Sequence, residues 1–365
     1  MSAAKSIVNS LRVGMRALAL ILAVSSAISY FISLALGPVL FFSTSDGLAA
    51  ADQRIHSMSI ALFMILTIPV PLATSLGVLF AVIWGIFLVC MILAFFDRGG
   101  FMNSARGALS SSISLAKTNF LYIMPLIASG LVSATIIISQ FQESAGVQTG
   151  SITFPTTNPY VILTELSFAP LQEEFAFRIT SIGLLVGILL LIVYRSDPRI
   201  SGLKNKAKLV LLAMFSPELA KSRMGYRNVK ANGFPRGISP LEWILILLTA
   251  AIFGLAHFLA GSGWEVGKVS TAFLAGLVFG IVFVAYGAYA SILLHWFFNY
   301  YFDVLSKAET AYGGIFHQLS GLADVSSFLG GQVVLVIFLI FSAFRLGSYF
   351  ATRASGRVER PDSVA

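Results

Sequence analysis

The chain has 365 residues, of which 57% are hydrophobic and only 11% charged, with a mean hydropathy of +0.87. Globular domains carry about 25% charge, so this composition excludes a soluble enzyme and describes a polytopic membrane protein. The net charge of +8 does not point to nucleic acid, because basic residues of membrane proteins collect in their cytoplasmic loops. Cys90 lies in an apolar run and is the single cysteine, which excludes an intrachain disulfide framework and leaves no neighbour to activate a thiolate.

A stretch of about 20 apolar residues crosses roughly 30 Å of hydrocarbon as a helix. Taken in order, such stretches occur at about 15–36, 75–96, 119–139, 171–194, 240–259, 269–286, 289–304 and 325–344. The fold expected is therefore all-α, a polytopic transmembrane helix bundle of about eight spans plus interfacial helices. Between the first two spans, a polar loop at 43–56 containing His56 leads into 57–68, where Pro69 and Pro71 predict a short interfacial or re-entrant segment. A polar stretch at 140–158 precedes Pro159, with Asn158 placed to cap a helix. Pro170 is expected to break or kink that helix, leaving an acidic pair in the first turn of the fourth span. Residues 195–237 then change character, with about ten Lys/Arg and only Asp197 and Glu218 as acids. This segment reads as a basic cytoplasmic insertion, with 207–221 as an amphipathic surface helix on anionic lipid. Gly276 and Gly280 stand four apart and suit close helix packing. A polar loop with Asp303, Glu309, His317 and Asp324 leads to the last span, and Arg345, Arg353, Arg357 and Arg360 follow in a tail expected to be disordered beyond Ser355. Eight spans with both ends in the cytoplasm place every basic segment inside. The whole chain reads as one integral membrane domain, multi-pass, in the cell membrane, with the bilayer as its partner and no nucleic acid. Its oligomeric state is not encoded in any feature found.

Few ionisable groups remain at membrane depth: Glu173, Glu174, Arg178, His257 and His295, joined by Asn299. A charged side chain near the bilayer centre costs roughly 2.5–3.5 kcal/mol on insertion scales, so this cluster needs a purpose. Glu173 and Glu174 point about 100° apart on a helix and cannot share one role. Glu174 and Arg178 are four apart and can pair, leaving Glu173 to face something else. His295 and Asn299 are also four apart, and His257 ends the run Phe253-Gly254-Leu255-Ala256-His257. Alone, each has a structural reading: an ion pair, a histidine on a backbone carbonyl, an amide bridging helices. Together they make up nearly every polar group of the later spans.

Glu173-Glu174-x-x-x-Arg178, Phe253-x-x-x-His257 and His295-x-x-x-Asn299 match, in order, the three motifs of the CAAX protease and bacteriocin-processing family, which this sequence resembles over about 160–305. The resemblance implies an intramembrane glutamic endopeptidase that cleaves a membrane-anchored protein or peptide substrate without metal or cofactor. It implies that Glu173 and His257 activate a water, that His295 and Asn299 stabilise the oxyanion, and that Glu174, Arg178 and Phe253 support them. Two features depart from it: the long basic interval 195–237, and a positive-inside topology that puts Glu173 and His257 at the outer ends of their helices. The competing enzyme readings are a zinc protease using Glu173, His257 and His295, and a serine protease using Ser262 with His295. From another class, the chain reads as a non-catalytic immunity or scaffold protein, or as a transporter. A transporter would show paired broken helices, and only the break at 69–71 is clear.

Overall fold

The computed structural model describes residues 2–110 and 114–355. The arginines expected at 357 and 360, and the tail beyond Ser355, lie outside the described residues. Among those described, seven helices are long and apolar enough to cross a membrane: Ala19–Ser43, Leu76–Gly99, Phe120–Ser144, Pro159–Val193, Pro240–Leu259, Lys268–Tyr286 and Ile315–Ile340. Apolar side chains such as Val78, Val82, Val89 and Leu93 are exposed along the second of these, as lipid contact requires. The chain is a multi-pass integral membrane helix bundle. The expected span at 289–304, not among these seven, is present as a continuous helix over 288–312. It is mostly buried, and His295, Asn299 and Asp303 lower its hydropathy. The expected loop around Asp303 and Glu309 is the end of this helix, and His317 and Asp324 belong to the long helix Ile315–Ser355.

The proline-interrupted segment is not helical. Arg54–Leu62 and Leu66–Ser75 form an antiparallel hairpin, with Ser57 opposite Pro71 and Ser59 opposite Pro69. The two prolines are two residues apart, so their nitrogens point the same way, and a two-stranded sheet has an outer edge where no donor is needed. At the hairpin tip Phe63 and Met64 take φ of 49° and 69°, a conformation non-glycine residues seldom adopt. The Phe63 N–H donates to Thr180 Oγ1 at 3.0 Å, which pins the tip to the helix carrying Glu173.

That helix differs most from expectation. Asn158 caps it, accepting from the N–H groups of Tyr160 and Val161, and Pro159 occupies its first turn. It then runs through Pro170 without ending, so Glu173 and Glu174 sit in mid-helix, away from any N-terminal dipole. Directly after Glu174 the hydrogen-bond register widens to a π-helix over Phe175–Gly183. The hydroxyls of Thr180 and Ser181 donate to the carbonyls of Phe175 and Ala176, five residues back, at 2.9 and 2.7 Å. Wide turns of this kind are rare and concentrate at functional sites.

Within the basic segment, the single helix expected over 207–221 is two helices, Leu203–Phe215 and Pro217–Met224, divided at Ser216. The first packs on the Glu173 helix where Gly183 and Gly187 remove side chains; a Cβ on Gly183 would lie 2.6 Å from the Met214 backbone. Lys221 is fully buried, 2.7 Å from Glu242 and 3.2 Å from the Gly237 carbonyl. The His257 helix and the Lys268–Tyr286 helix make the most extensive pair in the bundle. Gly276 and Gly280 face Ala250 and Ile246 across it, each 3.1 Å from where a Cβ would sit, so their role is close packing.

Candidate active site

Three helices bring the sequence-selected residues together, and the site divides into a closed half and an open half. The closed half centres on Arg178. Its guanidinium is wholly buried, 3.1 Å from Glu174 Oε1, and donates to the Gly276 carbonyl at 3.2 Å. It lies over the Phe253 ring at 4.6 Å, with the Phe279 and Phe177 rings at 5.4 and 5.6 Å. Ring faces attract cations, most strongly where water is absent. Glu174 is equally buried and, beside this ion pair, accepts a hydrogen bond from His295 Nδ1 at 3.0 Å. Glu174 therefore holds both Arg178 and the imidazole, one partner more than the sequence predicts. The His295 ring stacks on Phe279 at 4.6 Å, which fixes its plane.

The open half holds the groups that face cavities. The Glu173 side chain is 28% exposed against 0% for Glu174. Its Oε2 has no hydrogen-bond partner among the described residues, and His295 Nε2 stands 3.5 Å away. His257 Nδ1 donates to the Phe253 carbonyl at 2.8 Å. A carbonyl accepts only, so this bond fixes the tautomer and leaves Nε2 with its lone pair. His295 is set the same way: its Nδ1 proton is committed to the Glu174 carboxylate, so Nε2 donates only when the ring is cationic. Asn299 lies in a second π segment, Phe297–Tyr301, on the same helix as His295.

Two cavities meet at Phe253 and His257. One, of about 250 Å³, is lined by Glu173, Phe177, His257 and Ser262 among others. The other, of about 330 Å³, is lined by His257, His295, Asn299 and Lys268. Their rim is a strand-like pairing of two loops in which Ser151 and Thr153 donate to the carbonyls of Gly263 and Ser262 at 3.1 and 2.9 Å, and Glu265 donates to Thr149 at 3.0 Å. Gly150 and Gly263, at φ of 70° and 89°, permit that approach. The glycines around Ser262 thus belong to the rim. Among the described residues no three His, Cys, Asp or Glu side chains group as a metal site would require. His317 is remote and pairs with Glu309 at 2.6 Å on the surface, and His56 lies exposed on the hairpin.

Sequence reasoning missed the aromatic cage of Phe177 and Phe279, the Gly276 carbonyl, and Lys268. Spacing reveals contacts along one helix, and these groups arrive from others. Residues 155–301 match the family described as type II CAAX prenyl endopeptidase, Rce1-like, and the match runs through the basic segment as well as all three motifs. No curated protein and no solved structure matches the chain.

Proposed function

Because residues 155–301 make this chain a member of the CAAX protease and bacteriocin-processing family, a CAAX-type intramembrane endopeptidase, we propose that its hydrolytic step is carried by Glu173 and His257. The observation that carries this reading is the pair of partnerless acceptors at one cavity: Glu173 Oε2, and the nitrogen His257 keeps free by giving Nδ1 to Phe253. A water held between them loses a proton to Glu173 as its oxygen bonds to the peptide carbonyl carbon. The carbonyl oxygen becomes an oxyanion, which accepts hydrogen bonds from the Asn299 amide and from cationic His295 Nε2. When the C–N bond breaks, the proton passes to the leaving amine. Glu174, Arg178 and the Phe253 ring hold His295 and the Glu173 helix in place without touching substrate. Apolar surroundings exclude bulk water, so the held water is the one that reacts.

The substrate in this reading is a membrane-anchored protein or peptide, with its prenylation state left open. The positive-inside pattern puts the rim at 148–153 and 262–267 on the non-cytoplasmic face; labelling of a cysteine introduced at 140–158 only from the cytoplasm would reverse that orientation. The mechanism is tested with purified protein in liposomes. Peptide cleavage should survive a chelator, whereas His257→Ala should abolish it. Loss of activity with chelator and recovery with zinc would replace the glutamic mechanism with a metal-dependent one. A wild-type protein that cleaves nothing would support a scaffold or immunity role.

A further inference from the structure

Lys268 opens the Lys268–Tyr286 helix at the cavity rim, and no motif of the family resemblance includes it. It lines the cavity of about 330 Å³ with His257, His295 and Asn299. Its ammonium rests 3.8 Å from the centroid of the Trp264 ring, and among the described residues no carboxylate forms an ion pair with it. The other deep cations are paired, Arg178 with Glu174 and Lys221 with Glu242. An unpaired ammonium in a partly desolvated cavity attracts an anion more strongly than one in water. A second group there is also unspent. Thr149 Oγ1 is buried, lines the same cavity and has no hydrogen-bond partner among the described residues. It lies next to the residue preceding Lys268, 3.1 Å from where a Cβ on Gly267 would be. An ammonium beside a hydroxyl donor makes a receptor for a carboxylate.

We infer that Lys268, assisted by Thr149, binds a carboxylate of the substrate and so sets which peptide bond reaches Glu173 and His257. The inference rests on the proposed endopeptidase reading and adds the chemistry of recognition to it. Lys268 lines the same cavity as His257, His295 and Asn299, so the anion it holds shares that cavity with the groups proposed to act on the peptide bond. Two sources supply this chemistry, the C-terminal carboxylate of the substrate or an Asp or Glu side chain beyond the cleaved bond. Either way the cation also offsets the repulsion that Glu173 exerts on an incoming anion.

The test uses the full chain in liposomes and three peptides of one sequence: free C-terminal acid, C-terminal amide, and the amide with one internal Asp added. The wild type should cleave one of the acidic peptides with kcat/KM about tenfold or more above the plain amide, mainly through KM. The acid that gains the preference identifies the source. Lys268→Met should bring the ratio to about one, and Lys268→Arg should keep it; if the methionine variant does not fold, Lys268→Gln carries the same expectation. Binding of the same peptides to Glu173→Gln protein, read by fluorescence anisotropy, separates recognition from cleavage. An acid preference in binding without wild-type cleavage overturns the endopeptidase reading alone. Cleavage without an acid preference, or a preference that survives Lys268→Met or Lys268→Gln, overturns the role of Lys268. Neither cleavage nor preference overturns both.

Discussion

Glu173 and Glu174 are adjacent in the chain and opposite in circumstance. One half of the site encloses its charges completely: Glu174 pairs with Arg178 and accepts from His295 Nδ1 inside a cage of phenylalanines. The other half leaves Glu173 Oε2, His257 Nε2, Asn299 and Lys268 facing two cavities with few partners or none. A buried pair missing one member leaves an uncompensated charge, so the closed half is rigid by necessity. Groups that must exchange partners during a reaction cannot be spent in this way. The difference teaches where to look for chemistry in an apolar bundle, namely at ionisable groups that packing leaves facing a cavity.

Substitutions on the two sides should therefore separate activity from stability. The largest effect is expected on the open side: His257→Ala should lower kcat/KM by up to about 10⁴-fold while leaving thermal unfolding in detergent nearly unchanged. On the closed side, Arg178→Met should cost about 3–5 kcal/mol in unfolding free energy. Glu174→Gln combined with Arg178→Met should cost less than the sum of the two, because it removes both charges together. Asn299→Ala should cost about 2.7–4 kcal/mol in the activation barrier, seen in kcat more than in KM. An equal loss of stability there would move Asn299 to the closed half.

The smallest effect lies away from the site, in the basic segment. Burial raises the Glu218 carboxyl above the ordinary range, and the backbone N–H donors of Lys230 and Val229 offset this only in part. A carboxyl with a raised folded-state pKa contributes stability that is present below its unfolded pKa of about 4.3 and is lost as pH rises through the folded value. Amide exchange at Val229 and Lys230 should quicken from pH 4 toward 7 by more than the intrinsic base dependence, and Glu218→Gln should remove the excess.

Much of this arrangement was legible in the residues. Bilayer thickness fixes helix length, so the spans emerge from apolar runs, and the cost of charge in lipid singles out Glu173, Glu174, Arg178, His257 and His295. The Glu174–Arg178 pair follows from spacing alone and is present. Other features depend on partners far along the chain. Pro170 fails to end its helix, and the wide turn that follows is stabilised by the hydroxyls of Thr180 and Ser181, residues that read as ordinary helix in sequence. The hairpin at 54–75 does alternate, with Leu66, Ile68, Val70 and Leu72 at every second position, but its two prolines mask a strand. Its tip is held by Thr180, more than a hundred residues later. The bond from His295 to Glu174 likewise joins two helices, and it decides which nitrogen of His295 remains for chemistry.

The most direct measurement compares Glu173→Gln with Glu174→Gln in one preparation, recording peptide cleavage in liposomes and the unfolding midpoint in detergent. The two substitutions are chemically identical and one residue apart. Glu173→Gln should lose cleavage by at least about 100-fold and keep its midpoint, whereas Glu174→Gln should unfold several degrees earlier. If Glu173→Gln cleaves within a factor of two of the wild type, or if it is the variant that unfolds early while Glu174→Gln does not, the division of labour between the two carboxylates is wrong.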